Sequence, residues 1–586
     1  MVFSSLESQS LKCHGDSGAS DKLLQRGKGL RHAERAPMQP GLFLWILASS
    51  LLLILSFPRP DMGILSLFAL VPLFFGLSDT GKWKAFLAGW GGGTAWFFVS
   101  YNWVSHSLTN FGNIPLPLAE GVILLLAGIH GLYVGLFSIL IPMVAGGRNN
   151  GKGVRVYGSK GVNSRDPAPI PPYPHTPILS LTTPLPPYPL TPILCHPLTP
   201  VLVLPSAWVL LEVVRSWFPA PFPWLLMGSA TWKVPLLGSL YALAGVYGVS
   251  YWIVMVNVLI WTTFRLRKGG RSRIGMLLAI VLLLPLILYP AQKQNAGQKL
   301  RVGVVQGNFQ QDLKWEEGLR DETLRTYLSL TDRAVQRGAQ LVVWPETAVP
   351  SFYQAEPELI ERLRRFTSGR DIHLIFGSPG YEIEGREILL YNRVYHLHPD
   401  GTEEFYDKIM LVPFGEYVPL AGLLPFVDRM VPGEGEFARG AWKGPFSTPV
   451  PSGALVCYEV SIPSLARREV RDGSLLLINV TNDAWFGRSW GPYQHLAVSA
   501  VRAMENRVPI LRAANTGISA VIDRSGRVVR SIPLEERGVI VVDIETGGGL
   551  TLYTRFGDWI VIPSAAVIVV YFLVLLNLWR SRRWNT

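Results

Sequence analysis

Long apolar stretches constrain this chain more than any other feature, because about 20 apolar residues in a helix are enough to cross a bilayer. Seven such stretches precede residue 292, and an eighth lies near the C-terminus. They occupy residues 41–57, 62–78, 85–105, 118–145, 200–217, 236–262, 273–290 and 558–579. One stretch alone could be a buried core helix, but eight together predict a multi-pass α-helical membrane domain.

Basic residues are unevenly distributed around these stretches. Clusters of Lys and Arg precede the first stretch and follow the second, fourth, sixth and eighth, whereas the intervening loops carry almost none. By the positive-inside rule, both termini are cytoplasmic and the block from 295 to 550 faces the other side of the membrane. The same clustering accounts for the net charge of +12, so no nucleic-acid partner is expected.

Two segments do not resemble folded protein. Residues 1–37 are polar and precede Met38, so we expect a disordered or non-native extension. Residues 146–199 hold a proline-rich stretch, with 13 prolines between Pro167 and Pro200, and are predicted to be a cytoplasmic insertion. The remaining domains are predicted as spans 1–4 (38–145), spans 5–7 (200–292), a catalytic domain (295–550) and span 8 (556–580).

The block from 295 to 550 has a different pattern. Short apolar strands such as LRVGVVQ, QLVVW and SLLLINV alternate with segments of helical spacing such as DETLRTYLSLTDRAVQRG. This alternation predicts a layered α/β domain. Three cysteines without a Cys/His cluster of zinc spacing indicate neither a disulfide framework nor a metal or other cofactor.

Three residues of this block have side chains suited to acyl chemistry. Glu346, Lys408 and Cys457 each come at or just after a predicted strand end, where loops project side chains from a rigid sheet. A thiol can act as nucleophile if a carboxylate takes its proton and a cation stabilises the oxyanion. Each residue also has a plain structural interpretation: an inert buried thiol, a helix N-terminal acid and a surface lysine.

Together with their neighbours, these residues carry a resemblance. WPET, the Lys408 segment, PFGEYVP, CYE, NVTNDAWFG and RAANTGISAVID, in this order, resemble the nitrilase (carbon–nitrogen hydrolase) superfamily. With eight spans added, the chain is similar to the apolipoprotein N-acyltransferase family. The resemblance implies an α-β-β-α sandwich in which Glu346 is the general base, Lys408 stabilises the oxyanion and Cys457 is the nucleophile. It also implies supporting or substrate-binding roles for Glu416, Tyr458, Glu459 and Trp315.

The resemblance further implies a reaction and a location. Such enzymes move an acyl chain from a phospholipid, typically phosphatidylethanolamine, through a thioester to the α-amine of a lipoprotein's diacylglyceryl-cysteine, with ping-pong kinetics. The expected location is a bacterial inner membrane, with the catalytic domain on the periplasmic side. Two alternatives stay open: a membrane-anchored amidase or nitrilase with a small soluble substrate, and a transporter whose outer domain only binds ligand.

Overall fold

The structure is a computed structural model that describes most of the chain. The described residues are 40–145, 196, 198–266, 268–289, 297–310, 317–413, 415–417, 437–447 and 449–584. The predicted N-terminal extension, nearly all of the proline-rich segment and Trp315 lie outside these residues.

The N-terminal half of the described chain is helical. Its helices are α1 (Pro40–Ser56), α2 (Val71–Leu77), α3 (Lys82–Ser100), α4 (Trp103–Asn110), α5 (Leu116–Val144), α6 (Thr199–Trp217), α7 (Gly238–Arg265) and α8 (Lys268–Leu288). Among the described residues after α8, one further helix is long and apolar enough to span a membrane, the C-terminal helix Val561–Trp584.

The multi-pass membrane domain is confirmed, although fewer helices than the predicted eight are long enough to span. Within the described residues, five qualify: α5, α6, Pro235–Arg265, Gly270–Leu288 and Val561–Ser581. The first predicted span, α1, has only 17 residues. The second is divided into a 3-10 turn and α2, and the third, α3, contains four glycines that lower its hydropathy.

Glycines let α3 and α5 approach closely, as small residues commonly do in membrane helix pairs. A Cβ added at Gly93 of α3 would lie 2.7 Å from the Cβ of Val134. A Cβ added at Gly131 of α5 would lie 2.8 Å from the backbone nitrogen of Thr94. Neither contact is sterically possible, so the helix spacing depends on these glycines.

The α/β domain contains two sheets. Its strands are β1 (Lys299–Gln306), β2 (Leu341–Val343), β3 (His373–Glu384), β4 (Glu387–Leu397), β5 (Glu403–Asp407), β6 (Ser452–Val456), β7 (Leu476–Thr481), β8 (Ile510–Ala514), β9 (Ser519–Ile522), β10 (Val528–Ile532) and β11 (Gly538–Glu545). One sheet has the order β11-β1-β2-β3-β4-β5 and the other β10-β9-β8-β7-β6.

The domain has four layers, which confirms the predicted α-β-β-α sandwich. Apolar side chains of the two sheets form one continuous core between them. Two helices, α9 (Glu317–Gln336) and α10 (Pro357–Ser368), pack on the outer face of the six-stranded sheet. Two others, α11 (Pro463–Arg471) and α12 (Gly491–Asn506), cover the five-stranded sheet and share a core with the membrane helices.

Hydrogen bonds from α12 join the two halves of the molecule. Gln494 accepts from the indole nitrogen of Trp224 at 2.7 Å and donates to the carbonyls of Pro58 and Ser100, each at 3.1 Å. All three partners belong to the membrane domain. A buried amide thus satisfies one donor and two carbonyls that would otherwise lack partners at the end of the helical bundle.

A second connection reaches into α7 itself. Gly245 has φ +66° and ψ −173°, which interrupts the helix and releases the amide of Val246 from its helical acceptor. That amide donates instead to Glu505 of α12 at 2.7 Å. The ring of Tyr553, in the short helix α13 (Leu552–Phe556), contacts the break, where a Cβ on Gly245 would lie 2.5 Å from a ring carbon. The C-terminal helix α14 (Val561–Trp584) follows.

Candidate active site

Strand ends from both sheets bring the candidate residues together. Glu346 follows β2, Lys408 follows β5 and Cys457 follows β6. All three side chains are buried, with residue exposures of 6%, 1% and 8%. The site therefore lies where the loops of the two stacked sheets meet.

The backbone at Cys457 makes a sharp turn. Cys457 has φ +51°, an unusual conformation for a residue with a Cβ, and it opens the 3-10 helix Cys457–Ser461 directly after β6. Its carbonyl accepts from the Nδ2 of Asn479 at 3.3 Å and lies 3.1 Å from the Nε2 of His495. The strained turn holds the thiol where it interacts electrostatically with Glu346 and Lys408.

Glu346 lies in a turn that only a glycine neighbour permits. The amide of Gly377 on β3 donates to the carbonyl of Pro345 at 3.1 Å. A Cβ on Gly377 would lie 2.4 Å from the amide nitrogen of Thr347. Close packing of the WPET turn on β3 therefore fixes the Glu346 backbone.

Asn392 of β4 links two carboxylates to the lysine. Its Nδ2 donates to Oε1 of Glu346 at 2.7 Å and to Oε1 of Glu416 at 3.1 Å. The Nζ of Lys408 lies 2.8 Å from the same Glu416 oxygen and 4.0 Å from Oε1 of Glu346. Sequence reasoning missed Asn392; the only signal is a single amide within the apolar strand LLYNRVYHL.

Burial and neighbouring charges keep both the lysine and the thiol protonated, so that the lysine is charged and the thiol is neutral. Burial opposes the charge of Lys408, but Glu416 and Glu346 outweigh it and raise the lysine pKa above its ordinary value. Burial, together with Glu346, raises the pKa of the Cys457 thiol, and Lys408 offsets this only in part. The site at rest thus holds a permanent ammonium and a neutral thiol.

Glu459 ties the lysine segment to the cysteine segment. Its carboxylate accepts from the amides of Ile409 at 2.7 Å, Met410 at 2.9 Å and Val456 at 2.8 Å, and from the hydroxyl of Tyr406 at 3.0 Å. Burial raises its pKa to about 7. One fully buried side chain thereby holds the residues beside Lys408 and the residue before Cys457 in fixed register.

Behind the cysteine, the NVTND and RAAN motifs form a buried charged network. Asp483 lies 2.6 Å from the guanidinium of Arg512 and 3.0 Å from the Nδ1 of His495. Burial raises the pKa of this carboxyl, but Arg512 and His495 outweigh burial and hold it well below its usual range. His495 carries the connection on to the Cys457 carbonyl and so supports the turn at the thiol.

Tyr458 points away from the three candidate residues toward the membrane domain. Its hydroxyl donates to the carbonyl of Pro221 at 2.5 Å, and its ring stacks on Phe222 with centroids 6.4 Å apart. Glu212 and Arg215 of α6 hold the same loop, Glu212 accepting from the amide of Met227 at 2.7 Å and Arg215 donating to the carbonyl of Trp224 at 2.9 Å. The residue next to the thiol therefore rests on a membrane-domain loop.

The structure thus brings Glu346, Lys408, Glu416, Cys457 and Glu459 into one site. Tyr458 borders it on the membrane side, and Trp315 is not among the described residues. Chemically, the site combines a thiol, a carboxylate that could accept its proton and an ammonium that could stabilise negative charge on oxygen.

Comparisons with known proteins identify two families in this chain. A family described as carbon–nitrogen hydrolase matches residues 301–548, and one described as the apolipoprotein N-acyltransferase N-terminal domain matches 49–156 and 176–259. Apolipoprotein N-acyltransferase of Geobacter metallireducens is 33% identical over 542 residues, covering 90% of this chain and 94% of that protein. Its counterpart in Pseudomonas syringae is 36% identical, covering 64% and 74%.

A solved structure, Nit3 of Saccharomyces cerevisiae, a member of branch 10 of the nitrilase superfamily, is 18% identical with a TM-score of 0.34 and covers 43% of this chain and 92% of that one. The relative that matches nearly the whole length, together with the two family matches, establishes the family. This chain belongs to the apolipoprotein N-acyltransferase family and is a membrane acyltransferase of the carbon–nitrogen hydrolase superfamily.

Proposed function

We propose that the protein transfers an acyl chain from a phospholipid to the α-amine of the N-terminal S-diacylglyceryl-cysteine of apolipoproteins, through a thioester on Cys457. This would be the last step of lipoprotein maturation. The observation that carries the proposal is the convergence of Glu346, Lys408 and Cys457 at a buried site whose next residue, Tyr458, contacts the membrane-domain loop.

In the first half-reaction, Glu346 takes the proton of the Cys457 thiol as sulfur attacks the ester carbonyl of the phospholipid. Lys408 stabilises the negative charge that develops on the carbonyl oxygen. The carbon–oxygen bond of the ester breaks, and Glu346 returns the proton to the departing lysophospholipid oxygen. The raised pKa of the thiol supports this order, because a neutral thiol needs a base at the moment of attack.

In the second half-reaction, the lipoprotein α-amine attacks the thioester carbonyl. Glu346 accepts a proton from the attacking nitrogen, the carbon–sulfur bond breaks, and the proton passes to sulfur to restore the thiol. Two substrates that use one thiol in turn give ping-pong kinetics. Glu416 and Asn392 act as positioning residues in both steps, because they hold Lys408 and Glu346 at a fixed separation.

Phosphatidylethanolamine is our proposed donor, and Trp315 remains a candidate for substrate binding.

The proposed location is a bacterial inner membrane with the catalytic domain on the periplasmic side. The distribution of basic residues along the membrane-domain helices supports this location. The basic residues Lys82, Lys84 and Arg265 lie at the ends of α3 and α7 that are opposite to the ends contacted by α12.

Intact-mass measurement tests the covalent step. Purified full-length protein in detergent is incubated with phosphatidylethanolamine of one acyl composition. We expect a mass increase of one acyl group that hydroxylamine removes and that a diacylglyceryl-peptide discharges as N-acyl peptide. Cys457→Ala should show no adduct.

The chain offers a matched control in its other two cysteines. A Cys13→Ala/Cys195→Ala variant should acquire the same adduct as the unaltered protein, because the proposal assigns no role to either cysteine. Absence of an adduct on the unaltered protein, or its persistence on Cys457→Ala, would contradict the mechanism. Hydrolysis of small amides without any acylation by phospholipid would instead favour a membrane-anchored amidase.

A further inference from the structure

Three histidines meet beside the start of β2, the end of that strand opposite to the one that Glu346 follows. They are His373 at the start of β3, His396 on β4 and His398 just after it, and one ligand atom from each lies within 4.8 Å of the others. The Nδ1 of His373 is 3.0 Å from the Nε2 of His396. Sequence spacing does not reveal this cluster, since 23 residues separate its first two members.

The geometry points to a binding site for a divalent transition metal, of the zinc class, on His373, His396 and His398. Zinc binds imidazole nitrogens at about 2.0–2.1 Å, so two nitrogens of one tetrahedral ion are separated by roughly 3.4 Å. The 3.0 Å separation of His373 and His396 is already close to this value. His373 and His398 are only partly buried, so their rings can rotate to close the wider separations.

Glu404 provides the outer shell that such a site requires. Its Oε2 lies 3.4 Å from the Nδ1 of His396, which leaves Nε2, the nitrogen that faces His373, to bind the ion. Its Oε1 lies 3.6 Å from the Nε2 of His398. Glu404 is itself held by Ser447, whose amide donates to it at 3.0 Å and whose hydroxyl also donates to it. An all-imidazole set favours zinc, nickel or copper over magnesium or calcium.

The position of the cluster indicates a structural rather than a catalytic metal. His373 pairs with Leu341 at the start of β2, whereas Glu346 follows the far end of that strand. Along β4, His396 is four residues from Asn392, or about 13 Å at the usual rise per residue. An ion here would join β3, β4 and the segment around Ser447. The inference is independent of the proposed acyl transfer.

Zinc binding to the full-length protein tests the site directly. The protein is purified in detergent with a tag that contains no histidine, stripped with EDTA, exchanged into buffer and titrated with ZnCl2. We expect one equivalent of zinc by elemental analysis after gel filtration, and a rise in apparent melting temperature. Co2+ in place of zinc should give the intense visible bands of a tetrahedral or five-coordinate ion.

Variants assign the ion to these residues. His373→Ala, at a partly buried position, should lose stoichiometric zinc, and the double variant H396A/H398A should show none. Glu404→Gln should weaken zinc binding roughly 10–100-fold. His196→Ala, at an exposed position outside the cluster, is the matched control and should bind like the unaltered protein. No zinc on the unaltered protein, or equal zinc on His373→Ala, would overturn the assignment.

Discussion

The two halves of the molecule both bury charged side chains, but they satisfy them differently. In the catalytic domain, Lys408 faces Glu416 and Glu346. In the membrane domain, Glu212 and Arg215 bind mainly backbone groups of one loop. A charged side chain that binds backbone groups stabilises the local loop. Charged side chains that face one another and a thiol can exchange protons. Burial alone therefore does not distinguish a catalytic charged residue from a structural one, but the identity of its hydrogen-bond and ion-pair partners does.

The strongest test of this contrast is the same substitution in both halves. Glu346→Gln keeps an oxygen for the Asn392 hydrogen bond but removes the base, so the acyl-transfer rate should fall roughly 10^2–10^4-fold. The rate is measured as N-acyl peptide formed from a fluorescent diacylglyceryl-peptide. Glu212→Gln also keeps its acceptor oxygen, and its rate should stay within a few-fold of the original. Comparable losses in both variants would remove the distinction.

The junction between the halves can be weakened at a single side chain. Gln494→Ala leaves the indole of Trp224 and the carbonyls of Pro58 and Ser100 without their partner. We expect a loss of about 2–3 kcal/mol, seen as a lower apparent melting temperature in detergent. Gln340→Ala, at an exposed position, serves as control and should melt like the unaltered protein. An unchanged melting temperature for Gln494→Ala would show that the junction does not depend on these bonds.

Within the membrane half, helix packing can be tested without touching any charge. Gly131→Ala places a methyl group 2.8 Å from the backbone of α3, so we expect destabilisation of about 1–3 kcal/mol. Gly121→Ala lies on the same helix with nothing within 4 Å of the added carbon. That control should be neutral or slightly stabilising. If both variants melt alike, close approach of α3 and α5 is not what the glycines provide.

The last prediction concerns the pH dependence of stability in the catalytic half. Burial raises the pKa of Glu469 on α11 to about 8, above the value of about 4.3 for an unfolded chain. The folded protein therefore retains a proton that the unfolded chain has lost, and stability falls as pH rises from about 4.3 to about 8. The expected slope is on the order of 1.4 kcal/mol per pH unit.

Melting temperatures at pH 5 and pH 8 measure this effect. Glu469→Gln should flatten the decline, because an amide cannot ionise. Glu361→Gln, on the exposed surface of α10, should leave the pH dependence unchanged. A decline that is the same in Glu469→Gln would assign the pH dependence to other groups.

Sequence patterns predicted the catalytic half better than the membrane half. Apolar runs and helical spacing located the strands and helices of the sandwich, because each element has one buried face. The order of the motifs identified Glu346, Lys408 and Cys457 as members of one candidate site. The first apolar stretch already has only the 17 residues that α1 has, but apolar length could not show that residues 62–78 are interrupted. In the membrane half, hydropathy reflects residue composition and does not locate the breaks within a helix.

Residues whose role depends on contacts across the fold were harder to find. Asn392 is one amide in an apolar strand. Its positioning role is evident only from the fold, in which β4 places it between Glu346 and Glu416. Antiparallel pairing of β3 and β4 brings His373 close to His396, and His398 directly follows β4. Glu212 and Arg215 have a possible ion-pair spacing on one helix, yet each binds the loop that follows.

The break at Gly245 has a mechanical consequence. Because the amide of Val246 is bound by Glu505, one hydrogen bond of a membrane helix is completed by the catalytic domain. Lifting or tilting that domain would leave this amide without an acceptor in an apolar surrounding, which is costly. The thiol is therefore held at a constant depth relative to the helix bundle. In the proposed reaction, donor and acceptor would then reach the thiol by lateral diffusion, with no movement of the catalytic domain.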